Sequence, residues 1–176
     1  MISRFRSFRL AAALACPLPL LAVPATAQPQ AGHPASSATA AYLATAGAAD
    51  LYEVQASRLA MTRATTPQLR GFAEMLVGDH IRSTEELIEA AHRAGLTPGR
   101  PSLSPAQQQM LGALNSAQGA AFDRLYLAQQ IPAHEQGLAL HRAYALHGDT
   151  PELRQTAANI APVVERHLNA ARQLAR

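Results

Sequence analysis

His167 lies at helical spacing among Ile160, Val163, Val164, Ala170, Ala171 and Leu174, a polar ring inside an apolar stripe. A buried imidazole needs hydrogen-bond partners or a metal ion. Three other stretches carry polar groups in equivalent settings. Glu53 is the acid on a line of small residues that includes Ala46, Ala49, Ala56 and Ala60. His80 interrupts Leu69, Ala73, Leu76, Val77, Leu87 and Ala91, and His134 shares a face with Leu127 and Leu138. One carboxylate and three imidazoles suit a single borderline divalent ion: Zn, Fe, Mn, Ni or Cu. Asp79, Asp123, Gln130 and His141 are the candidates for holding the ring nitrogens that face away from such an ion. The alternative is a buried Glu–His network with no ion, which would only fix the register of the helices.

The elements that carry these residues follow from capping and breaking signals. A first helix runs from about Ser37 to Ala64 and is stopped by Thr65-Thr66-Pro67, where Thr66 is an N-cap and Pro67 a first helical residue. The second runs from Pro67 to Ala94, with Gly95 just past its end. The turn between them is so short that the two are antiparallel neighbours. Leu96 to Ser104 holds two prolines and a glycine and is not helical, and Ser104-Pro105 opens a short helix to about Asn115. A connection of that length fits a crossover along a four-helix bundle. The third long helix spans about Gln118 to His147 and contains Pro132. The fourth opens at Thr150-Pro151, continues to the C-terminus and contains Pro162. Counted from the turns, Glu53 lies eleven residues before the end of its helix and His80 thirteen after the start of the next. His134 and His167 match in the same way, at thirteen and sixteen residues from their shared turn. At about 1.5 Å per residue, all four side chains fall at one level of an all-α bundle.

Composition narrows the function classes. Arg4, Arg6 and Arg9, the apolar run Leu10 to Val23 and Ala25-Thr26-Ala27 make a secretory signal peptide over residues 1–27. A Pro- and Ala-rich leader over 28–36 and a single helical domain over 37–176 follow. The expected location is the periplasm, with association to the outer membrane left open by Cys16, the one cysteine, as a lipidation candidate. The signal removes three of the 15 basic residues and none of the 12 acids, so the mature chain is formally neutral and carries no basic patch for nucleic acid. No segment after the signal is apolar enough to span a membrane. The chain lacks lysine, which excludes Schiff-base chemistry and a P-loop, and the mature chain lacks the thiol that cysteine catalysis needs. No G-x-S-x-G, H-E-x-x-H or Gly-rich phosphate loop occurs, so the reading leans away from an enzyme. A monomer or weak homo-oligomer is expected, with protein partners unspecified.

Several stretches together resemble a secreted bacterial family of unknown function, domain-of-unknown-function family four-one-four-two. They are Leu51-Tyr52-Glu53, Phe72 to His80, Phe122-Asp123-Arg124-Leu125-Tyr126, His134-Glu135 and Pro162 to Leu168. The resemblance implies a ferritin-like helical bundle with a crossover, exported from the cell. Di-iron ferritin-like proteins carry Glu-x-x-His on two helices. Here the positions three before His80 and His167 are Val77 and Val164. Half of the bridging carboxylates are therefore missing, which favours one metal ion, for metal handling or stress protection, or no metal at all, over a di-iron oxidase. The other class of function is a non-catalytic envelope protein, structural or partner-binding, in which the Glu–His network only specifies packing.

Overall fold

The computed structural model describes residues 35–176, so the expected signal peptide and nearly all of the leader lie outside the described residues. Those residues form five helices and no strand: α1 Ser37–Arg63, α2 Pro67–Arg93, α3 Pro105–Ser116, α4 Gly119–His147 and α5 Pro151–Leu174. Their starts are chemically defined. Ser36 Oγ accepts from Thr39 N at 3.1 Å, and Thr66 Oγ1 accepts from Leu69 N at 3.2 Å. Ser104 and Gln107 form a reciprocal capping box at α3. Gly95, at φ +73°, closes α2 by the return of Leu96 N to Ala91 O at 2.9 Å. Thr150 occupies the N-cap position of α5, but its hydroxyl faces Thr39 Oγ1 at 3.0 Å and does not cap the helix. Both α4 and α5 run on through their internal prolines, Pro132 and Pro162.

The four long helices each pack on two others: α1 on α2 and α4, and α5 on α2 and α4. The polar ties at the two ends fix their directions. The Asp123 carboxylate, near the start of α4, accepts from Thr65 N at 3.1 Å in the α1–α2 turn. At the other end, Asp149 between α4 and α5 accepts from Ser36 and Thr39 at the start of α1. So α1 and α5 run one way, and α2 and α4 run the other. The connection from Ala94 to Gln118 must therefore cross the length of the molecule, and α3 within it packs on α1 and α4.

The interior has two apolar clusters. One gathers Tyr42, Ala46, Leu87, Leu153, Ile160 and Leu168 with their neighbours near the start of α1. The other gathers Tyr52, Ala56, Leu76, Leu114, Phe122 and Tyr126 near its end. Buried Asp50, Glu53, His80, Gln130, His134 and His167 lie at the mid-helix positions between them. No helix among the described residues is long and apolar enough to cross a membrane.

Candidate metal centre

The polar layer is built from one turn of each long helix. The imidazoles of His80 on α2, His134 on α4 and His167 on α5 face one another, with all three ring centroids 5.5 Å apart. One nitrogen from each ring lies within 4.8 Å of one from each of the others. A triangle of that size puts a central point within roughly 2.8 Å of each corner, near the metal–nitrogen bond of about 2.0–2.1 Å.

The outward nitrogens are all held. His80 Nδ1–H donates to Asp50 Oδ1 at 2.8 Å, and Asp50 Oδ2 accepts from Thr84 Oγ1 at 2.9 Å. His134 Nδ1–H donates to the Gln130 carbonyl, one turn back on its own helix, at 2.9 Å. His167 Nε2–H donates to Asp79 Oδ2 at 3.0 Å. An acceptor on one side of a neutral ring leaves the lone pair on the other. His80 Nε2, His134 Nε2 and His167 Nδ1 have no hydrogen-bond partner and are sealed from solvent. The other buried side-chain atoms in that condition, among the described residues, are Glu53 Oε2, both amide atoms of Gln130 and the neighbouring Ser83 Oγ. Each such group ordinarily costs about 1–3 kcal/mol. Their concentration in one layer matches what three lone-pair donors and a carboxylate around a cation require.

Charge in the layer is distributed unevenly. Burial holds His134 down to about 3, helped by neighbouring His80. Burial lowers His167 as well. Burial also opposes the charge on His80, but its hydrogen bond to Asp50 and the nearby carboxylates outweigh this and raise its pKa. Burial pushes Glu53 up to about 7 against the pull of His80. Two neutral rings and one ring that readily holds a proton therefore face the centre. A cation held there by the three rings would take the place of that proton.

The residues singled out in the sequence divide by level. The three histidines come together. Glu53 stands beside them, with Oε1 4.0 Å from His134 Nδ1, but its carboxylate is not part of the three-nitrogen cluster. Asp79 and Gln130 do support rings, Gln130 through its backbone carbonyl. Asp123 does not: it shares the face of His134 but lies eleven residues earlier, roughly 16 Å along the axis. Its carboxylate ties the α1–α2 turn instead. His141, two turns beyond His134, pairs with the Tyr42 hydroxyl at 3.1 Å, and burial holds it down to about 4. Asp50, which accepts from the His80 ring, is not among the residues singled out in the sequence. It lies fourteen residues before the end of α1 by the same count that placed Glu53, level with His80.

A family described as "Domain of unknown function (DUF4142)" matches residues 24–174. The chain belongs to this family. None of the curated proteins matches it. Among solved structures it is similar to a DUF305 fragment from Deinococcus radiodurans, at 15% identity and TM-score 0.69, over 81% of this chain and 98% of that one. It is also similar to CopM in the Cu(I)-bound form, at 19% identity and TM-score 0.63, over 77% of this chain and 93% of that one. CopM in the Cu(II)-bound form gives 18% identity and TM-score 0.63, over 78% and 95%. At these identities the likeness is one of fold. This DUF4142 chain thus shares its helical fold with these proteins.

Proposed function

We propose that this chain is an exported, ferritin-like four-helix bundle with a crossover that holds one transition-metal ion through His80, His134 and His167, with Glu53 as the adjacent carboxylate. Its role is metal handling or protection against metal stress, without catalysis. Residues 1–27 serve as the signal peptide, 28–36 as the leader and 37–176 as the binding domain. The observation that carries the reading is the set of three unpartnered ring nitrogens turned inward, each ring anchored by an oxygen on its far side. A role in packing alone would leave those nitrogens unsatisfied at a cost in stability that no contact recovers. Three imidazoles are borderline donors that accept copper or zinc. Copper is the first ion to test, because CopM, a protein of similar fold, is described in copper-bound forms.

Untagged protein, loaded and desalted, is expected to retain one ion per chain by elemental analysis. At an ion concentration 100 times Kd the folded state gains about 2.7 kcal/mol, so EDTA lowers Tm measurably. His80→Ala and His167→Ala each abolish both effects. A chain that retains no ion and melts identically with and without EDTA removes the reading.

A further inference from the structure

Two cavities reach the polar layer, and their walls differ. The larger, about 690 Å³, lies between α1 and α4 beneath the crossover. Its lining is alanine, leucine, methionine, hydroxyls and neutral amides, and Glu53 is its only charged group. None of the three histidines lines it. The smaller, about 300 Å³, is a cleft between α2 and α5, and both His80 and His167 form part of its floor. Along the α2 wall Asp79, Ser83, Glu86 and Glu89 succeed one another, an oxygen at every turn or so. This row leads from Glu89, whose side chain is 72% exposed, through Asp79 at 28%, to His167 at 3%. Ser83 Oγ, His80 Nε2 and His167 Nδ1 are buried and without partners along it. Arginines 82, 93 and 166 also border the cleft. Of these, Arg93 lies 3.9 Å from Glu89, and Arg166 donates to the Pro162 carbonyl.

A hydrated cation loses its water most cheaply where oxygen ligands replace it, and an apolar wall offers none. Resting on the reading of the three rings as an ion site, we propose that the α2–α5 cleft is the route by which a metal cation reaches them. Glu89, Glu86 and Ser83 pass it inward to Asp79 and His167. The alanine-lined cavity on the opposite side takes no part in loading.

The test separates rate from affinity. The chain has no tryptophan and four tyrosines, so stopped-flow quenching of tyrosine fluorescence by Cu²⁺ reports loading, with Co²⁺ absorption as a parallel probe. The double variant Glu86→Gln/Glu89→Gln is expected to load at least about threefold slower at low salt, the difference shrinking at high salt. Asn159→Phe, at an exposed position on the cleft wall, slows loading and chelator-driven removal by a similar factor and leaves Kd unchanged. Ala49→Leu, which narrows the opposite cavity, leaves both rates as they are. Unaltered loading in both cleft variants, or slower loading only in Ala49→Leu, overturns the route while leaving the ion site standing. A wild-type chain that takes up neither ion overturns the site, and the route falls with it.

Discussion

Asp50 fixes His80 as Asp79 fixes His167, so a change at either carboxylate would act on a bound ion through a ring. Asp50→Asn keeps the size of the side chain but removes the negative acceptor. It is expected to weaken metal affinity by about 10–100-fold, the usual scale for a residue behind a ligand. Isothermal titration of the folded variant checks this, and an unchanged Kd would count against the role given to Asp50. Glu53 and His134 make opposite demands on pH. The Glu53 carboxyl rises on folding from 4.5 to about 7. Its contribution is therefore whole below pH 4.5 and is lost as pH climbs through 7. His134 falls from 6.5 to about 3, so its contribution is whole above 6.5 and is lost as pH drops towards 3. In chelator, Glu53→Gln should raise stability at pH 8 by about 2–3 kcal/mol at most, and the gain should fade at pH 5. Equal gains in thermal melts at the two pH values would contradict it. The three imidazoles were legible because each interrupts an apolar stripe. Asp50 was not, because it sits one turn from Glu53 and flanks the line of small residues instead of interrupting it.

The helices were legible at their ends for a chemical reason. Thr66-Pro67 and Ser104-Pro105 mark starts with a cap and a fixed φ, Thr150-Pro151 with the fixed φ alone, and Gly95 supplies the left-handed residue that a closing turn needs. What helical periodicity does not give is height. Asp123 has the right face to serve the layer and the wrong level, and its carboxylate is spent on the α1–α2 turn. Asp123→Ala should therefore cost about 1–2 kcal/mol, as loss of a cap does, and leave metal affinity untouched. Denaturant melts beside a metal titration distinguish the two effects, and a fall in affinity would return Asp123 to the site.

For the molecule as a whole, the antiparallel pairing within each hairpin follows from two short turns, both visible in the sequence, whereas which helices of the two hairpins lie side by side is seen only in the packing. The cavities are not visible there, because a run of alanines specifies close approach without saying where space is left. The polar layer parts two apolar clusters, so an ion at its centre would join three helices at mid-height. Amide exchange near His80, His134 and His167 is expected to slow on loading more than exchange near the helix ends. Uniform protection would argue for a general gain in stability without a local clasp.

The crossover from Ala94 to Gln118 is the sole covalent link between α1–α2 and α4–α5. The first hairpin owns one imidazole of the three, and the second owns two. A protease cutting between Leu96 and Ser104 would separate the donors into two polypeptides, neither able to complete the triad by itself. Reunion of those fragments would then depend on the supply of metal, and the severed protein would behave as a heterodimer assembled by an ion.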